Sequence, residues 1–159
     1  SSNGKDWQLM TSNAGWSPRA YHQAAVLNGK IYVFGGGTYL PKFSTVSDVW
    51  SSEDGIHWTK VCDKVPWNGR IWFTSSVYRD RIWVMGGWSQ SLYKNWGDVW
   101  YSKDGKNWEE LKSDVIWKQR HEPSSFVFQD RLWMIGGKSG AGAGKLVNDV
   151  WYLKLPKDW

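Results

Sequence analysis

The chain has 159 residues, enough for one domain with a core of its own, and its 41% hydrophobic and 22% charged residues are a globular balance. It carries 15 Trp, and since a buried indole removes roughly 150–250 Å² from water, most of them must pack rather than sit on a surface. The net charge of +5 is spread along the chain with no basic cluster, which speaks against a nucleic-acid partner, and no apolar run reaches the roughly 18–20 residues of a membrane helix.

Taken in order, the segment from Trp7 to Met10 reads as the start of an outer strand. Residues 21–27 read as a strand, Asn28-Gly29 as a tight hairpin turn, and the next stretch as a second strand closed by Gly35-Gly36. A loop, "GTYLPKFSTVS", leads to a third strand around Asp48-Val49-Trp50, an Asp54-Gly55 turn and a fourth strand that begins at Trp58. The same order then returns. Residues 72–78 form a strand, Arg79-Asp80 a turn, and a strand closes on Gly86-Gly87; after "WSQSLYKNWG" come Asp98-Val99-Trp100, Asp104-Gly105 and Trp108. A third copy runs from a strand at 124–128 through Gln129-Asp130, Gly136-Gly137, "KSGAGAGKLVN" and Asp149-Val150-Trp151 to "KDW" at 157–159. No segment shows a capped helical period.

The register is tight. Trp7, Trp58, Trp108 and Trp159 are spaced by 51, 50 and 51, and Trp16, Trp67, Trp117 and Arg19, Arg70, Arg120 keep step. The chain is therefore one unit of about 50 residues written three times, at about 8–58, 59–108 and 109–159. Four short antiparallel strands per unit describe a propeller blade. The fold class is all-β.

A hydrophobic strand closed by Gly-Gly, then a spaced aromatic and a Trp, resembles the kelch repeat, and the resemblance runs from Trp7 to Trp159. It implies kelch-type β-propeller blades, three of them, each four-stranded. One departure is that kelch units usually carry Tyr or Phe in the third strand where this chain has Ser52, Ser102 and Leu153, so the Trp of each "DVW" is expected to take over that packing. The stretch "SDVWSSEDGIHW" looks like a catalytic or metal loop but reads as architecture: a third strand, an Asp-Gly turn and a fourth strand, with Glu53 and His57 not repeated at 103 and 107.

Propellers have about four to eight blades. Three blades leave two apolar faces open, so half of a six-bladed propeller, closed by homodimerisation, is the expected assembly, with a piece of a longer tandem, its missing blades on the same or another polypeptide, as the alternative. The last copy lacks a fourth strand, which Trp7 to Met10 of a partner would supply, with Trp7 rather than Trp159 in the closing position.

The resemblance places two loops of every unit on one face. Their text differs between copies, which marks them as the places for recognition. Tyr39, Phe43, Trp88, Tyr93 and Trp96 lie in one set, with Tyr21 and Trp72 near the channel mouth; aromatics beside polar groups suit a peptide loop or a sugar ring. Arg19, Arg70 and Arg120, with His121 and Glu122, complete the candidate ligand-binding set, the arginines either circling the channel to attract an anion or tying down loop carbonyls. Trp88 and Trp96 have a second reading as packing for their own loop.

The favoured function is a non-enzymatic binding or assembly module for a protein or glycan, with a purely structural ring-forming fragment and a glycan-processing enzyme as alternatives. His22, His57 and His121 lack zinc spacing, so no metal and no cofactor is expected. Cys62 falls on an outer strand, away from any copper-radical site, and "GKSGAGAGK" at 137–145 fails the phosphate-loop pattern and reads as a flexible loop. Glu122 is the one acidic residue at its repeat position, the only foothold for a carboxylate mechanism.

Overall fold

Tight turns with left-handed backbone organise every sheet. In the computed structural model, which describes residues 3–140 and 144–159, Asn28, Arg79, Asp80, Gln129 and Asp130 have φ between 49° and 54°. Together with Gly29 they make three two-residue hairpins whose twist matches that of right-twisted strands. Each joins the first strand of a sheet to the second: Gln23–Leu27 to Lys30–Phe34, Thr74–Tyr78 to Arg81–Met85, and Ser124–Val127 to Leu132–Ile135.

The "DVW" strands Val49–Ser52, Val99–Ser102 and Val150–Leu153 add antiparallel to the second strands. Outer strands Thr59–Cys62 and Glu109–Glu110 follow in the first two sheets. The main sheets thus have four, four and three strands, and in the third Val150–Leu153 is an edge. Thr74–Tyr78 runs beside both Gln23–Leu27 and Ser124–Val127, so the first strands gather on one side. Small polar groups make that approach possible. Ser125 Oγ lies 2.7 Å from Thr74 Oγ1 and 2.8 Å from Ser76 Oγ, and Gln23 Nε2 donates to Phe73 O at 3.0 Å.

Apolar side chains fill the spaces between sheets. Phe34, Val49, Val65, Trp67, Ile82, Val84 and Trp108 share one cluster, and Tyr78, Trp83, Met85, Val99, Leu132 and Leu155 another. Alternation along each strand decides which side chains enter them.

The Asp-Gly segments are closed turns. Ser52 Oγ accepts from Gly55 N at 2.8 Å, Asp54 Oδ1 accepts from Ile56 N and His57 N at 2.8 Å, and Trp58 Nε1 donates to Gly55 O at 3.2 Å. Ser102, Asp104 and Trp108 repeat the pattern. This accounts for the missing aromatic: a buried hydroxyl at 52 and 102 caps the turn.

Two expectations need correction. The first strands start at Gln23 and Thr74, two residues late, because Tyr21 and Trp72 have φ of 56°, outside strand geometry. The segments after the glycine pairs also contain short ladders, Gly37–Thr38 with Ser44–Thr45, Trp88–Ser89 with Lys94–Asn95, and Lys138–Ser139 with Lys145–Leu146. Residues 141–143, the middle of the expected flexible loop, lie outside the described residues.

Candidate binding face

The repeated arginines are already committed to carboxylates and loop carbonyls within the chain. Arg70 Nη1 donates to Asp98 Oδ1 at 2.6 Å and Gly86 O at 2.9 Å, Nη2 donates to Asp98 Oδ2 at 2.9 Å, and Nε to Asn68 O at 3.1 Å. Arg19 engages Asp48, Gly35 O and Ser17 O, and Arg120 engages Asp149, Gly136 O and Lys118 O. The three side chains are 0%, 0% and 1% exposed. A fork already bidentate on a carboxylate and shielded from water cannot reach an anion in a channel.

The "DVW" triplet is the other half of this device. Trp50, Trp100 and Trp151 each donate the indole N–H to Oδ2 of the Asp two residues back, at 2.8 Å. At Asp48 burial works to raise the carboxyl pKa, yet the bonds from Arg19 and Trp50 outweigh it and hold the pKa below the usual range. Asp149 is held well below that range, chiefly by the Arg120 guanidinium.

What faces outward is aromatic. Phe43 meets Tyr39 at 6.3 Å between ring centroids; Tyr39 meets Tyr21 at 6.5 Å and Trp72 at 5.4 Å; Tyr21 meets Trp72 at 5.6 Å. Trp72 then lies 5.4 Å from His121, His121 5.7 Å from Trp88, and Trp88 5.1 Å from Tyr93. These contacts link rings from all three copies, with the buried His121 and Trp88 joining the more exposed rings beneath the surface. Tyr39, Tyr21 and Tyr93 are 45%, 43% and 57% exposed.

Backbone conformation aims these rings. Tyr21, Trp72 and Glu122 occupy one repeat position, and all three have φ of 55° or 56°. A non-glycine residue there is strained, and such strain is kept where the surroundings enforce it. The glycine pairs do the enforcing: a Cβ on Gly36 would fall 2.5 Å from Ala20 O, so only glycine lets the loop before Tyr21 lie this close.

Trp88 and Trp96 take their second reading. Trp88 is buried and donates to Gln90 Oε1 at 2.9 Å. Trp96 lies between Arg70 and Lys94, whose cationic ends stand 4.9 Å and 4.6 Å from its ring. His121 is buried too, with Nδ1 2.6 Å from Asn95 Oδ1; because Asn95 Nδ2 donates to Gly140 O, its Oδ1 accepts and the proton sits on His121 Nδ1. Asn95, missed in the sequence, thus ties the second copy's loop to the third. Glu122 is exposed.

Residues 18–51 match the family model of the kelch motif, a span that contains Arg19, the first glycine pair and Asp48. The first copy thus carries a kelch motif, and the match supports a kelch-repeat relationship. No curated protein matches it. Kelch repeats generally mediate protein–protein binding and serve as non-enzymatic scaffolds. The match covers the Arg–Asp clamp of the first copy, and the same bonds recur in the other two.

Among the described residues no group of three His, Cys, Asp or Glu side chains is placed to hold a metal ion. His57 bonds Asp54 within its turn, and Cys62 ends the outer strand Thr59–Cys62. Among the described residues no helix is long and apolar enough to cross a membrane.

Proposed function

We propose that this chain is a non-enzymatic binding module that receives an extended protein loop along the rings from Tyr39 through Tyr21 and Trp72 to Tyr93. The single observation that carries the reading is a pair of exposed aromatic patches, Tyr39 with Tyr21 and, beyond Trp72 and the buried His121 and Trp88, Tyr93. Rigid aromatic rings offer contact area at low entropic cost. The groove between Tyr21, Thr38, Tyr39 and Leu40 suits an apolar side chain at one end.

The test is selection from a peptide-display library, with a glycan array in parallel. Selected peptides should lose about tenfold or more in affinity when Tyr39 or Tyr21 becomes Ala, while Ile56→Ala, in a turn at the far end of the sheet, changes nothing. Binding indifferent to the tyrosines would overturn the face, and a strong glycan hit without peptides would move the ligand class to carbohydrate.

We also read the three sheets as propeller blades, following the units at about 8–58, 59–108 and 109–159, and the chain as half of a six-bladed ring completed by a second copy. Two open faces support this. The first sheet presents Val26, and the third presents Phe126, Trp133 and Tyr152 in one row across its strands, with Val150 beside them. Exposed apolar faces of that kind are interaction surfaces or aggregation hazards. Light scattering at twice the 18.4 kDa chain mass is the expected result.

A further inference from the structure

The two spaces between sheets are built alike but filled differently. Between the first and second sheets Trp108 packs in a cluster with Phe34, Val49, Trp67, Ile82 and Val84, 6.0 Å from Phe34 and 5.6 Å from Trp67 between ring centroids. The repeat equivalents between the second and third sheets are Met85, Val99, Trp117, Leu132 and Met134. These five line a cleft of about 70 Å³ that opens to solvent. No indole fills it among the described residues. Trp159, the repeat equivalent of Trp108, instead lies 6.0 Å from Trp83 and 5.1 Å from Tyr101, with the Arg81 guanidinium 4.9 Å from its ring.

Trp159 misses the slot because its approach differs. Trp108 follows the Ser102-capped Asp104-Gly105 turn, whose glycine sits against Tyr32 so tightly that a Cβ would come within 2.7 Å of that ring. The third copy has Leu153 in place of the capping serine and no Asp-Gly before Trp159. The turn exists elsewhere. Asn3 Oδ1 accepts from Lys5 N at 2.9 Å and Asp6 N at 3.0 Å, and Asn3 Nδ2 reaches Asp6 Oδ2 at 2.6 Å, as Asn107 Nδ2 meets Asp104 Oδ2 at 2.7 Å. Gly4 has φ of 73°, beside 75° at Gly55 and 72° at Gly105. The text agrees, "NGKDWQLM" at 3–10 against "DGKNWEEL" at 104–111. Yet Trp7 and Leu9 are 88% and 77% exposed.

We propose that the cleft is an indole slot filled by Trp7 of a second copy, and that Trp159 is a placeholder beside it. This rests on the ring reading above and specifies its contact. Both internal outer strands pair in one register, Lys60 opposite Trp50 and Thr59 opposite Ser51, Glu110 opposite Trp100 and Glu109 opposite Tyr101. Transferred to the third sheet, Leu9 of the second copy stands opposite Trp151 and Gln8 opposite Tyr152. Gly4 of the incoming turn then takes the place over Trp83 that Gly105 takes over Tyr32, so Trp159 must leave it.

The test is the dimer dissociation constant of the full chain and its variants, from sedimentation or light scattering over a concentration series. Trp7→Ala weakens the dimer about thirtyfold or more with monomer stability unchanged, since Trp7 is exposed in the single chain. Trp159→Ala tightens it, because the placeholder is gone. As a second measurement, Gln8→Cys with Tyr152→Cys in a Cys62→Ser background forms a disulfide-linked dimer on oxidation, and Lys5→Cys with Tyr152→Cys does not. A wild-type dimer indifferent to Trp7→Ala, or weakened by Trp159→Ala, overturns the slot and leaves the ring standing. A wild-type chain that is monomeric throughout overturns both.

Discussion

Arg70 and Asp98 stand 28 residues apart in sequence and meet in two parallel hydrogen bonds of 2.6 Å and 2.9 Å under the surface of the second sheet. The pair joins the chain entering the sheet to its third strand, and Gly86 O receives the remaining Nη1 bond at 2.9 Å. A guanidinium so placed needs all its partners, because none can be replaced by water.

Arg70→Lys should therefore behave as a severe change, costing about 3 kcal/mol or more, since an ammonium cannot reproduce the fork and leaves Asp98 partly unpaired. Urea denaturation reads the loss. A cost below about 1 kcal/mol would show that the clamp is incidental.

Acid should act in two stages. Burial, with help from the Arg19 charge, lowers the His22 pKa, and burial lowers that of His121, so the unfolded chain binds protons that the folded chain resists. Stability then falls as pH drops below about 6.5. A second loss follows as pH falls through about 4, where Asp48 and Asp149 of the unfolded chain protonate while their folded counterparts, with lowered pKa, stay ionised. Denaturation midpoints between pH 7 and 3 test this, and Asp149→Asn should shrink the second stage while leaving the first unchanged.

Trp108→Ala should cost about 3–5 kcal/mol, the usual range for emptying an aromatic site in a core, because Trp108 is buried between two sheets. Trp58→Ala should cost clearly less: Trp58 is half-buried and meets Trp16 on the open side of the first sheet. Equal losses in thermal unfolding would contradict the difference between the two sites.

Glu122→Gly should be more stable than Glu122→Ala by about 1 kcal/mol, since φ at 122 is 55°. The comparison isolates backbone strain, because both changes remove the same carboxylate. Equal stabilities would mean that the left-handed conformation is relaxed at no cost.

The period, the strand order and the turns were legible in the amino-acid text, because these obey local rules. Asn28-Gly29 bends the chain whatever surrounds it, and alternation in residues 81–85 places Trp83 and Met85 on one face. The tertiary structure alone decided what the landmarks do. Arg19, Arg70 and Arg120, identical in every copy, read as structural ties in preference to anion ligands, but their partners came to light only where each met its Asp, 28 or 29 residues on. Trp88 and Tyr93 stand five residues apart in one variable loop, yet the first is buried and the second 57% exposed. Burial and ion pairing depend on which distant side chains arrive at the same place, and a repeat of about 50 residues gives every copy the same local text whether or not a neighbouring sheet covers it.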